Sequence, residues 1–131
     1  MPSITMAQRF LEALSAGDVR QVIAADAVSW HNIDGVEAPL ATLDEDFATV
    51  ISLFPDFRYA NLRYAAAGDS LSLAQFTLMA TLSDGGQMEA HGCLVVTERD
   101  GLVTRTEEYL DSHQVAPLIE AAGADSAREH R

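Results

Sequence analysis

Four residues of this chain stand out as groups that could move a proton near neutral pH: His31, His91 and the adjacent pair Glu107 and Glu108. The glutamates end a β-rich run, Leu102 to Ser112, that returns from the apolar run Gly92 to Glu98 through Arg99-Asp100-Gly101. An Asp-Gly turn between two such runs predicts a hairpin. Strand alternation sends Glu107 and Glu108 to opposite faces, so whichever face is interior receives a carboxylate. A carboxylate inside a fold is costly unless it is paired or used. Desolvation raises its pKa toward neutrality, which suits general acid or base work. The plainer reading of Glu108 is a strand-end carboxylate paired with Arg63 or Arg105, or simply solvated.

His31 lies in Trp30-His31-Asn32 on a short strand, and its imidazole exchanges protons near pH 7. A surface residue or a satisfied donor is the alternative. His91 precedes Gly92, where backbone space is expected to admit a pocket partner for a carbonyl; His113 begins a helix. His31, His91 and Glu108 would also make a facial metal triad, but no local spacing supports one, and neither a metal nor a cofactor is expected.

The elements that position these groups follow from periodicity. A helix from Ile4 to Ala16 keeps Met6, Phe10, Leu11 and Leu14 on one stripe and stops at Gly17. Asp18 is suited to cap a second helix through Ala25, with Val19, Val22 and Ile23 buried. Val28 to Ile33 reads as a strand, and a loop with Pro39 runs to Ala41. Thr42-Leu43-Asp44-Glu45 has the form of a capping box, opening a third helix that ends near Phe54 before Pro55. Strands are predicted over 57–66, 71–82, 88–97 and 102–110, and their short Gly-containing connections imply an antiparallel meander. A last helix runs from Gln114 to Ala122. The order gives one α+β domain over residues 1–123, with a polar tail over 124–131 expected to fray.

Composition narrows the function. The 131 residues carry 20 acidic and 8 basic side chains, a formal charge of −12. That balance argues against nucleic acid and anionic lipid as partners. The single cysteine, Cys93, excludes an internal disulfide framework and reads as a small buried apolar residue. The N-terminus lacks a signal-peptide pattern and no apolar run approaches membrane-spanning length, so a cytoplasmic protein is expected. Trp30, Phe47, Phe54, Phe57 and Phe76 read as core or pocket wall.

The element order, with the opening Phe10-Leu-Glu-Ala-Leu-Ser-Ala-Gly-Asp18 and the close Asp100-Gly-Leu-Val followed by Glu108-Tyr-Leu-Asp111, resembles the nuclear-transport-factor-2-like superfamily. Within it the chain is most similar to the SnoaL-like polyketide cyclases, with ketosteroid isomerases and limonene-epoxide hydrolases as relatives. The resemblance spans Ile4 to Ala122. It implies a cone: a strongly curved mixed sheet with helices on its concave face, an apolar pocket between them, and a convex face that serves homodimers. Pocket-facing positions then fall on His31, Gln75, Thr77, His91, Cys93, Thr106 and Glu108, with Phe10, Trp30 and Phe54 contributing to the substrate site. Glu107, Tyr109 and Asp111 point away, and Met88, Ala90, Leu94 and Val96 form an apolar outer face that a second subunit would cover.

The isomerase base, an aspartate on the first strand, falls on His31, and the isomerase oxyanion donors fall on Phe10 and Cys93. The Asp-Arg-Asp relay of the epoxide hydrolases ends at Glu108, but its other members lie near Gln75 and Thr77. In the polyketide cyclases an acid-base aspartate matches Glu108. The implied function is a cofactor-independent acid-base enzyme acting on a hydrophobic, carbonyl-containing small molecule, cyclase-like or isomerase-like, with His31, Glu108 and His91 as its catalytic groups. The alternatives are a non-catalytic binding or dimerisation module, or an epoxide hydrolase-like enzyme with an altered relay.

Overall fold

Helix α1 (Met6–Ala16) begins where Thr5 accepts the backbone N–H of Gln8 at 3.1 Å, and it ends at Gly17, whose φ of 76° closes the C-terminus. The computed structural model describes residues 4–129. Its helix buries Met6, Ala7, Phe10, Leu11 and Leu14, as the stripe predicted. The hydroxyl of Ser72, buried in the sheet, accepts the N–H of Ala7 at 2.9 Å and fixes the helix's first turn to the sheet.

The second helix expected over 18–25 does not form. Val19–Gln21 makes a single 3-10 turn, and the chain is extended from Ile23 onward as strand β1 (Ile23–His31). A short apolar run fits either state by periodicity, and pairing with the last strand decides it: Val103 donates to the carbonyl of Val22 at 2.9 Å. The loop expected before Ala41 contains a short strand, β2 (Glu37–Pro39), and a 3-10 turn over Leu40–Thr42. That turn places Thr42 in helical conformation, so the expected capping box is absent; its hydroxyl donates to Pro39 instead. Helix α2 (Leu43–Leu53) is tied back to the first 3-10 turn by the Asp44 carboxylate, which accepts the N–H of Val19.

The meander is as read: β3 (Arg58–Ala66), β4 (Leu71–Thr81), β5 (Gln87–Arg99) and β6 (Leu102–Leu110). Helix α3 (Ser112–Glu129) runs past the end expected at Ala122. Residues 130 and 131, part of the tail expected to fray, lie outside the described residues. The six strands form one open sheet in the order β2-β1-β6-β5-β4-β3, antiparallel except for the parallel pair β1 and β6. Register shifts in β1, β3 and β6 bend it, with Asn61 at a φ of 55° in the β3 bulge.

One face of the sheet is the core: Ala74, Phe76, Leu78 and Ala80 of β4 and Met88, Ala90, Leu94 and Val96 of β5 are all buried. The last four were expected on the outside. That expectation is corrected by the register, in which Leu94 pairs with Glu108 and Cys93 with Tyr109. The apolar surface offered for a homodimer is therefore interior, and the outward face of β5 carries Glu89, His91, Cys93 and Thr97. Among the described residues, no helix is long and apolar enough to cross a membrane.

Candidate acid-base site

The parallel pairing of β1 with β6 sets His31 directly beside Glu108. Asn32 locks this register. Its N–H donates to the carbonyl of Glu108 at 3.0 Å, while its carboxamide accepts from the N–H of Leu110 at 2.9 Å and donates to the Leu110 carbonyl at 3.0 Å. The backbone of Glu108 and of Leu110 is thus bound to the residue that follows His31.

Glu108 is the interior member of the glutamate pair, 9% exposed. Its Oε1 lies 3.4 Å from His31 Nε2, and its Oε2 accepts the hydroxyl of Tyr59 at 3.2 Å. Glu107 faces outward, beside Arg105 and the hydroxyl of Tyr109. The ion pair considered for Glu108 is not made: Arg105 is held by Glu37 at 2.6 Å and by Glu107, and Arg63 lies on the outer face.

The hydrogen bond to Glu108 is the largest influence on His31 and raises its pKa above the ordinary 6.5; burial opposes the rise, and the charges of Glu108, Asp34 and Asp46 support it. Tyr59 lies well above the usual tyrosine value, first because burial disfavours the phenolate and then because of the adjacent carboxylate. It therefore stays a neutral donor. Its ring is held edge-on between Phe57 and Phe76, at centroid distances of 5.8 and 4.8 Å.

These three groups open on a cavity of about 250 Å³ between the sheet and the helices. Its other walls are Leu14 of α1, Leu43, Phe47 and Val50 of α2, Leu78 of β4 and Leu118 and Ile119 of α3, with Asp34 and Asp46 as further polar members. A carboxylate that accepts two hydrogen bonds at the wall of an apolar cavity can take a proton from a substrate carbon, and the imidazole beside it can give one.

The remaining expected site residues separate from this pair. His91 is exposed on the opposite face of the sheet, its Nδ1 3.2 Å from the Thr77 hydroxyl. Gln75, Thr77 and Cys93 share that face, lining with His91 an open depression of about 640 Å³. A face that holds Glu108 must hold Leu94 and cannot hold Cys93, so the transfer of pocket positions to β4 and β5 was out of phase by one residue. His91 therefore neither orients a substrate carbonyl in the cavity nor joins His31 and Glu108 in a metal triad. The space expected beside Gly92 is also absent: a Cβ there would lie 2.6 Å from Leu110 Cδ2 and 2.9 Å from the Tyr109 carbonyl oxygen.

Trp30 belongs to the outer face too, its ring 5.3 Å from that of Tyr109. Thr106 is buried on the inner face, two positions before Glu108, while Phe10 and Phe54 sit in the core at 1% and 5% exposure. None of these three is among the described residues that line the cavity. Tyr59 was not singled out from the sequence. Its place two residues after Phe57 puts both on one strand face, but nothing local says that Glu108 is opposite.

A profile of the SnoaL-like domain family matches residues 7–106, and the chain belongs to that family. No curated protein sequence matches it significantly. Among solved structures, the fold is shared with BvnE pinacolase from Penicillium brevicompactum (TM-score 0.72, 15% identity, covering 92% of this chain and 94% of that one). It is shared also with IdmH from Streptomyces antibioticus, a proposed polyketide cyclase (TM-score 0.69, 18% identity, 85% and 93% covered). A third is a protein of ketosteroid isomerase-like fold from Catenulispora acidiphila (TM-score 0.68, 11% identity, 82% and 86% covered). Identities this low speak for the fold alone.

Proposed function

We propose that this protein is a cofactor-independent acid-base enzyme acting on a small, largely apolar carbonyl compound, by cyclisation or isomerisation. The observation that carries this reading is the convergence of His31, Glu108 and Tyr59 on one apolar cavity. Glu108 is the base: its carboxylate accepts a proton from the carbon α to the carbonyl. His31, whose proton is held more firmly than in free histidine, hydrogen-bonds the oxygen on which negative charge develops. Tyr59 fixes the rotamer of Glu108 through Oε2.

Two outcomes follow from the same enolate. Where the substrate carries a β,γ double bond the enolate is a dienolate, and return of the proton from Glu108 to the γ carbon moves the double bond into conjugation. Attack of the enolate carbon on a second carbonyl of the same molecule forms a C–C bond and closes a ring, and the resulting alkoxide takes the proton that Glu108 holds. A cavity that folds the substrate contributes strongly to ring closure, because well-oriented intramolecular reactions reach effective molarities of about 10⁵ M or more. The cavity volume also bounds the substrate. Drug-sized ligands occupy pockets of roughly 300–1,000 Å³ and benzene fits one of about 150 Å³, so about 250 Å³ suits one or two rings.

The test is exchange of α-protons for deuterium, followed by NMR, in a panel of one- and two-ring ketones. The wild type is expected to exceed the buffer rate, and Glu108→Gln and His31→Ala are each expected to lose about 100-fold or more. Exchange at the buffer rate with the wild type, or unchanged exchange in both variants, contradicts the proposal.

A further inference from the structure

The ionisable groups on the cavity wall are Glu108, Asp34, Asp46, His31 and Tyr59. Three are carboxylates, and the His31 imidazole, 3.4 Å from Glu108, can offset the charge of one of them. Tyr59 is a neutral hydroxyl. No arginine lines the cavity among the described residues, and the chain contains no lysine at all. Asp34 and Asp46 are exposed at the open side, Asp34 on the turn after β1 and Asp46 in the first turn of α2. Among the described residues each has only an uncharged hydrogen-bond partner, the N–H of Val36 and the hydroxyl of Thr42 respectively. Neither makes an ion pair among the described residues, and three carboxylates against one imidazole leave the cavity lining acidic.

We infer that this cavity selects an uncharged or ammonium-bearing substrate and excludes carboxylates and phosphates. The inference rests on the reading of the cavity as a substrate site and gives that substrate its charge. An anion entering the cavity meets the like charges of Asp34, Asp46 and Glu108, with apolar walls that focus the field rather than screen it. An ammonium group meets the reverse, with the aromatic residues Phe47 and Phe57 among the lining. A neutral ketone is indifferent to the mouth and is held by the walls. A carbonyl compound tethered through a carboxylate or phosphate is therefore the wrong partner for this chain, whereas a free ketone or an amino ketone fits.

The experiment is calorimetric or ligand-observed NMR titration of the intact protein with three probes of one shape: 2-tetralone, 2-aminotetralin and tetralin-2-carboxylate. The carboxylate is expected to bind at least about tenfold more weakly than the ketone, and the ammonium compound at least as tightly as the ketone. Raising the salt concentration is expected to narrow the spread, and Asp34→Asn combined with Asp46→Asn to bring the carboxylate within about threefold of the ketone. Equal or tighter binding of the carboxylate to the wild type overturns the inference, as does an unchanged ratio in the double variant. Binding of none of the three overturns it together with the substrate-site reading. The predicted charge order without any α-proton exchange leaves the inference standing and removes only the catalytic reading.

Discussion

The Nε2 of His31 and the Oε1 of Glu108 stand 3.4 Å apart on neighbouring parallel strands. Parallel strands need a long crossover, so nothing local in the sequence brings these two together. Their meeting is a product of the sheet register alone, which makes that register the place where the site is most easily damaged.

Asn32 holds it. Replacing Asn32 by Ala removes both carboxamide bonds to Leu110 and is expected to cost about 1–3 kcal/mol in urea denaturation. A loss of packing alone would stop there. A positioning role predicts in addition that the His31 pKa, read by NMR, falls toward 6.5 as its partner drifts away; an unmoved His31 pKa contradicts that role.

Tyr59→Phe keeps the ring between Phe57 and Phe76 and deletes the hydroxyl that binds Glu108. Hydrogen bonds to charged groups contribute about 1.5–3 kcal/mol, and a loss of that order in denaturant titration is expected. Turnover should fall as well, because one carboxylate oxygen is left unheld. Unchanged stability and turnover would mean that Tyr59 does not position Glu108.

His91→Ala is expected to change α-proton exchange by less than about twofold, in contrast to His31→Ala. The two histidines occupy opposite faces of the sheet. A large loss from His91→Ala would show that the outer depression, and not the inner cavity, carries the reaction.

Gly92→Ala should destabilise the protein by about 1–3 kcal/mol, the cost of forcing atoms into a packed core. The added methyl meets Leu110, Phe76 and a backbone oxygen, all within 3 Å. Denaturant titration of the variant against the wild type measures it. A neutral result would mean that β5 and β6 yield at this point without cost.

The fold was legible where one strong signal acts locally. The α1 stripe with Gly17 after it, the Asp100-Gly101 hairpin and the four meander strands are read from periodicity and turn chemistry, and the structure has them. The segment over 18–25 was misread because a short apolar run carries no period of its own; its start makes a 3-10 turn, and pairing with Val103 draws the chain from Ile23 onward into a strand. The inward glutamate was named correctly, as Glu108. The face of β5 was not, although its own pattern held the answer: Met88, Ala90, Leu94 and Val96 alternate with Glu89, His91 and Cys93, and the apolar set takes the core. Tyr59 and the aspartates at the mouth were invisible because their roles come only from contacts between distant segments.

The proposed chemistry requires His31 and Glu108 to act as one proton-exchanging unit, and an NMR titration of the His31 ring in the wild type and in Glu108→Gln tests that directly. The wild type is expected to titrate above 6.5, and the variant is expected to shift down because the largest cause of the rise is gone. A raised folded-state pKa stabilises the protein fully below the unfolded value, and that stabilisation is lost as pH rises through the folded one. The stability gap between the two proteins should accordingly be widest below about pH 6.5 and narrow above the His31 midpoint. The same midpoint in both proteins would contradict the pair and, with it, the proposed chemistry.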